Sequence, residues 1–201
     1  MTAGFWDDRY GHPNHVFGYR PNDFLKQQAR LLRPGSRVLC LGDGEGRNGV
    51  WLAQQGHDVV SLDFSRVGLD KAEALAAERD VTLETWHLDL ADWVDLPDPD
   101  VPWDAIVSVF VHLPQPLRGR VAATATRQSR PGAVLILEAY TPAQPALGTG
   151  GPKDPALLLT GRDVTADWEG WRLDVRLVER RIFEGMGHQG LSSVVQALGL
   201  R

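Results

Sequence analysis

A short apolar run that stops at a cluster of glycines constrains this chain more than any other feature. Residues 37–41 read Arg-Val-Leu-Cys-Leu, and Gly42-Asp-Gly44-Glu-Gly46-Arg-Asn48-Gly49 follows at once. An apolar run without alternation is a strand covered on both faces, as in a parallel sheet. Glycines directly after it let the backbone turn sharply, approach a ligand closely and aim a helix N-terminus at it. The next residues predict a helix over 47–55, with Gly56 placed to end it.

The same unit recurs along the chain. Strands are predicted at 58–62, 81–87, 103–109 and 134–138. Ser65 caps a helix with Leu69, Ala72 and Ala76 on one face, and Pro114-Gln-Pro116 opens another that runs to about residue 128. Strands separated by helical stretches imply crossover units and a parallel sheet. Beyond 150 the character changes. Trp171, Leu173, Val175 and Leu177 alternate with charged residues, a turn-rich link covers 184–190, and an apolar stretch fills 191–200. That is the pattern of an antiparallel hairpin added to the sheet's edge.

At 201 residues one α/β domain is expected, with residues 1–33 as an N-terminal lid and helix segment, 36–140 as a cofactor-binding core, and 141–201 as a substrate-side loop, helix and hairpin. The net charge of −5 argues against a nucleic-acid partner. The arginines at 118, 120, 127 and 130, and at 172, 176, 180 and 181, are spaced as solvated faces. The single cysteine, Cys40, lies in an apolar run, which suits a reducing compartment. Neither a signal-peptide layout nor a run long enough to span a membrane is present, so a cytoplasmic protein with no membrane partner is expected.

Two fingerprints overlap in the glycine loop. Gly42-x-Gly44-x-Gly46 suits S-adenosylmethionine, whereas Gly44-x-Gly46-x-x-Gly49 satisfies the dinucleotide pattern. Charge favours the first. Asp43 and Glu45 would face a pyrophosphate, a like-charge contact that costs on the order of 1–4 kcal/mol in a partly desolvated cleft. A sulfonium and an ammonium are cations, and Arg47 can point outward from the helix. Asp63 ends the second strand 17 residues beyond Gly46, where a carboxylate can accept both hydroxyls of a ribose. Asp89, His112 and Tyr140 follow the next three strands, and in open α/β sheets the ligand crevice lies outside the carboxyl ends of the strands.

These residues resemble class I S-adenosylmethionine-dependent methyltransferases. The likeness is carried by Val38-Leu-Cys-Leu-Gly-Asp-Gly-Glu-Gly-Arg-Asn48, by Asp63 and by Val107-Ser-Val-Phe-Val-His-Leu-Pro114. The opening Trp6-Asp-Asp-Arg-Tyr10, Pro21-Asn-Asp-Phe-Leu25, Glu138-Ala-Tyr-Thr-Pro-Ala-Gln144 and Gly148-Thr-Gly-Gly-Pro152 are similar to the small bacterial group around the tellurite-resistance methyltransferases. The resemblance implies a single-domain, Rossmann-like, seven-stranded and mostly parallel sheet that ends in an antiparallel hairpin, with helices on both faces. It implies that Gly42, Gly44 and Gly46 line the methionine part of the cofactor, with Asp43 and Asn48 in the same loop. Asp63 would bind the ribose, Phe64 would lie against the adenine, Asp89 and the backbone of Leu90 would face its edge, and Phe110 would lie by the methionine moiety. Cys40 stands where many relatives have an acid that holds the cofactor's ammonium.

Methyl transfer from a sulfonium needs mainly positioning and exclusion of water. His112 is the candidate base for an acceptor that needs one, or else a group that orients its loop. His188 reads first as a surface histidine of the hairpin turn, with reach into the cleft as the alternative. Trp6 and Tyr10, in an N-terminal segment rich in aromatic residues, are candidates to close over the substrate, with Tyr140 and residues 148–151 as a second wall. The 6 histidines form neither a helical pair nor a cluster with cysteine, so no metal site is expected. The aspartates from 89 to 104 read as solvated surface. The leading expectation is methyl transfer to a small molecule, a thiol or other soft nucleophile by analogy. The alternatives are a nicotinamide-dependent oxidoreductase and a cofactor-binding module without turnover.

Overall fold

A computed structural model describes residues 2–201. Two short helices open the chain, α1 (Ala3–Tyr10) and α2 (Asp23–Gln28). Then come β1 (Arg37–Leu41), α3 (Arg47–Gln54), β2 (Asp58–Asp63), α4 (Arg66–Glu78), β3 (Glu84–His87), α5 (Leu90–Trp93), β4 (Trp103–Val109), α6 (Leu117–Gln128) and β5 (Ser129–Tyr140). Helix α7 (Gly161–Asp167) precedes the hairpin of β6 (Arg172–Glu184) and β7 (His188–Leu200). The strands form one sheet in the order β3-β2-β1-β4-β5-β7-β6. Pairing is parallel from β3 to β5, while β7 runs antiparallel to both β5 and β6.

The period of two in a strand explains the layers. Leu39 and Leu41 join Val60, Leu62, Ile106, Leu135 and Leu137 on one face, under Trp93 of α5, Val121 and Ala125 of α6 and Val164 of α7. Val38 and Cys40 point the other way, with Val59, Val107 and Ile136, against Phe24 and Leu25 of α2 and Leu52 of α3. No polar alternation is needed because neither face of β1 meets water.

The expected class of fold is therefore present, with differences in detail. The third strand begins at Glu84 instead of 81, and Gly185 to Gly187 form a tighter hairpin turn than the predicted link. Two arginines of the basic faces, Arg118 and Arg180, are not solvated. Arg118 packs against Asp163 and Asp167 of α7, and Arg180 pairs with Glu138 inside the sheet. Arg120, Arg127 and Arg130 meet Asp95, Asp98 and Asp104, so the acidic loop and the basic helix end are partners across the surface. No helix among the described residues is long and apolar enough to cross a membrane.

Candidate active site

The glycine loop is bent by left-handed backbone at three positions, with φ of 55° at Gly42, 58° at Gly44 and 79° at Gly46. A side chain at Gly44 would strike the Tyr10 hydroxyl, and one at Gly42 would press on Val111. At Gly46 a Cβ would lie 2.5 Å from the Cβ of Ala72 in α4. Gly46→Ala therefore meets both left-handed strain and a helix that cannot move aside, a loss of about 2–4 kcal/mol. Urea unfolding of the variant measures it, and an unchanged midpoint would show that the loop has another way to turn.

Carboxylates hold this loop. Asp63 accepts the Gly44 and Ser65 N–H groups, each at 2.8 Å, and has no salt-bridge partner among the described residues. Each of its oxygens keeps a second acceptor site. Burial raises its pKa to about 6, against the backbone N–H groups that lower it, and the nearby Asp43 adds to the rise. Asp43 turns inward and accepts from Ser61 Oγ at 2.5 Å and the Gly49 N–H at 3.1 Å. Glu45 accepts the Val16 N–H and pairs with Lys71, each at 2.8 Å, which ties the N-terminal segment to the loop. Asn48 does the same through the Asn22 N–H at 2.9 Å. Arg47 does not point outward: it is buried, 2.7 Å from Glu184. Cys40 lies in the core, where burial pushes its thiol well up.

Tyr10 is buried against Gly44 and Gly68, and Trp6 stacks on it at 5.3 Å. Burial first, then Asp63 and Glu45, pushes the Tyr10 phenol well above its ordinary range. Phe64 is half-buried, with its carbonyl 3.1 Å from His87 Nε2. Asp89 is exposed and caps α5 through the Ala91 N–H at 2.8 Å, while Leu90 is buried in the core. The arrangement fits a cationic nucleoside: a glycine cradle, an unpaired buried carboxylate and aromatic faces, with the loop's guanidinium engaged elsewhere.

The ends of β4, β5 and β7 bring a second group together. Phe110 has φ of 57° and donates its N–H to the Glu138 carbonyl at 2.7 Å, which directs its ring to Tyr140 (4.7 Å between centroids) and His188 (4.5 Å). His112 is stacked 5.7 Å from Tyr140, and Phe17 reaches His188 at 4.5 Å. Trp6 and Tyr10 therefore lie at the glycine loop, whereas Tyr140 and His112 lie in this second cluster, with Phe17 between them. His112 Nδ1 is 2.8 Å from the Leu157 carbonyl, which can only accept, so Nδ1 carries the proton and Nε2 presents a lone pair. Burial lowers the His112 pKa to about 4, which keeps the ring neutral near pH 7.

The loop and this cluster are joined by a buried network that sequence reasoning missed. Asn22 Nδ2 donates to Glu138 at 2.9 Å and Glu184 at 3.0 Å, Gln196 donates to Glu138, and Arg180 clamps Glu138. Burial alone would raise Glu184, but His188 and Arg47 hold its carboxyl at about 2. A visible signal was Glu138 at the end of an apolar strand, an acid where the pattern calls for a hydrophobe.

Residues 38–132 match the family described as methyltransferase domain. The match takes in the parallel part of the sheet from β1 to β4 and just under half of the chain. The chain is 29% identical over 157 residues to a 2-heptyl-1-hydroxyquinolin-4(1H)-one methyltransferase of Mycobacteroides abscessus, covering 76% of this chain and 66% of the relative. The chain spans between 56% and 66% of the length of three curated relatives that it matches. In fold it is similar to a protein solved in work on conversion of a disulfide bond into a thioacetal group during echinomycin biosynthesis (TM-score 0.81, 17% identity, 100% of this chain and 92% of that one). It is similar also to the N-methyltransferase NodS of Bradyrhizobium japonicum in complex with S-adenosylhomocysteine (TM-score 0.72, 14% identity, 99% and 97% covered).

Proposed function

We propose that this chain transfers a methyl group from S-adenosylmethionine to a small-molecule acceptor held at the cluster of Phe110, His112 and Tyr140, with a thiol or other soft nucleophile as the acceptor. When bound, the cofactor supplies a methyl group already activated by its sulfonium. Gly42, Gly44 and Gly46 line its methionine part, Asp63 binds the ribose, Phe64 covers the adenine, and Asp89 with the backbone of Leu90 faces the adenine edge. Asp43 and Asn48 act one step back, through Ser61, Gly49 and Asn22, by shaping the loop. Trp6 and Tyr10 shut water out over Gly44.

The observation that carries this reading is the bare Nε2 of His112 at the end of β4, one residue from Val111, which packs on Gly42. A neutral imidazole there can take a proton from the acceptor, and it does not repel a sulfonium as an imidazolium would. The M. abscessus relative is named for a small ring compound, which agrees with a small acceptor. Labelled methyl donor incubated with thiols, alcohols and amines tests the reading. Transfer to none of them, or tight binding of a nicotinamide cofactor without binding of S-adenosylhomocysteine, would refute it.

His112→Ala is expected to lower kcat by about 10²-fold or more, the usual range for loss of a positioned base. Affinity for S-adenosylhomocysteine should change less than threefold. Because the neutral ring is the working form, activity falls as pH drops through about 4, far below the range of an ordinary histidine. An acid limb centred near pH 6.5 would remove His112 from the mechanism.

A further inference from the structure

We propose that the open hollow between α2, α3 and α4 is a second ligand site, and that it takes a small aromatic phosphate monoester: a flat ring carrying a dianionic head. The hollow has a volume of about 470 Å³, within the range of roughly 300–1,000 Å³ that holds small ligands. None of the residues assigned above to the cofactor or the acceptor lines it. The proposal therefore stands apart from the methyl-transfer reading.

Three helices build the walls. Arg47, Val50, Trp51 and Gln54 recur at i, i+3, i+4 and i+7, so one stripe of α3 faces the hollow. Leu75 and Arg79 face it from the C-terminal end of α4, and Asp23 and Lys26 from α2. Val50 and Leu75, 2% and 3% exposed, form an apolar floor, and the half-buried Trp51 lies beside them. A flat ring would cover that floor and pack against the indole.

Charge sets the head group. Four cations line the hollow, Arg20, Lys26, Arg47 and Arg79, against the single acid Asp23, in a chain whose net charge is −5. Glu184 holds Arg47, which is buried, Arg79 is 3.7 Å from the exposed Glu78, and Asp23 is 3.5 Å from Arg180. Arg20 and Lys26 have no acid within ion-pair distance among the described residues. Cations gathered in a cleft with apolar walls repel one another and concentrate an anion. Charge-assisted hydrogen bonds from arginine and lysine to phosphate are among the strong ones. A phosphate monoester carries about −1.5 to −2 charges near pH 7, which answers several rim cations where a carboxylate answers one. A neutral ring would leave the cations unmatched, and inorganic phosphate would leave the floor uncovered.

Calorimetry on the full chain, with and without S-adenosylhomocysteine, tests this with 1-naphthyl phosphate, 1-naphthol and inorganic phosphate. The first should bind at least tenfold tighter than the other two, with or without S-adenosylhomocysteine, and more weakly as salt is raised. Arg20→Gln combined with Lys26→Gln should weaken 1-naphthyl phosphate at least tenfold. Both side chains are exposed, so the melting temperature and the affinity for S-adenosylhomocysteine should not change. Asp23→Asn, which removes the one acid, should tighten binding about twofold or more. No binding of 1-naphthyl phosphate, equal binding of 1-naphthol, an unaltered affinity in the double variant, or no gain in Asp23→Asn would each overturn the proposal. So would displacement of 1-naphthyl phosphate by S-adenosylhomocysteine, which would place the probe in the cofactor cleft.

Discussion

Arg180→Met is expected to lower the melting temperature by on the order of 10 °C, because breaking a buried ion pair costs about 3–5 kcal/mol and each kcal/mol is worth roughly 2–4 °C at this size. Glu138 is fully buried, and Arg180 binds it through Nε and Nη2. Asn22 and Gln196 would remain as donors, at 2.9 Å and 2.5 Å, but neither carries charge. Methionine fills most of the space, so the loss reports the stranded carboxylate more than a cavity. A double variant, Arg180→Met with Glu138→Leu, should regain much of the loss, since replacing both partners by apolar groups is often near neutral. Scanning calorimetry of the single and double variants decides it. A single variant that melts within 2 °C of the parent would mean that Asn22 and Gln196 suffice.

Asp63→Ala should weaken binding of S-adenosylhomocysteine at least tenfold, about 1.4 kcal/mol or more. Two losses combine: the acceptor for ribose hydroxyls, and the anchor that bonds the Gly44 and Ser65 N–H groups. The same carboxyl sets a pH dependence in the ligand-free protein. Its folded pKa, about 6, lies above the ordinary 3.8, so the folded state holds that proton more tightly than the unfolded chain. Stability from this group is complete below about pH 4 and is lost as pH rises to about 6. Asp63→Asn should flatten that part of the stability profile. A parent and variant with the same slope between pH 4 and 6 would show that burial does not perturb Asp63, and an unchanged dissociation constant in Asp63→Ala would remove it from the ribose site.

The parallel core was legible because its inner strands have two buried faces, so Val38 to Leu41 and Val59 to Leu62 leave a largely continuous apolar trace. Gly42, Gly44 and Gly46 were legible as well, since few other demands place three glycines after a strand. Arg180 and Arg47 were not. Arg180 lies in a strand whose outward positions look the same whether they meet water or a buried acid, and Arg47 opens a helix whose partner, Glu184, is 137 residues further along the chain. The direction of Asp43 depended likewise on Ser61, a serine in the next strand. His188 sits in a link where periodicity says nothing, and only the pairing of Glu184 with His188 across the turn directs it to Phe110 and Tyr140.

The place of β7 has a consequence for how the protein is made. When β5 leaves the ribosome its outer edge, from Val134 to Tyr140, has no neighbour, and its partner residues Val194 to Leu200 are still untranslated. A nascent chain that has already built its parallel half thus presents a bare, apolar strand until β7 emerges, the kind of edge that pairs with other chains. Slow translation of residues 188–200 would prolong that exposure, and chaperone capture should peak before β7 is complete.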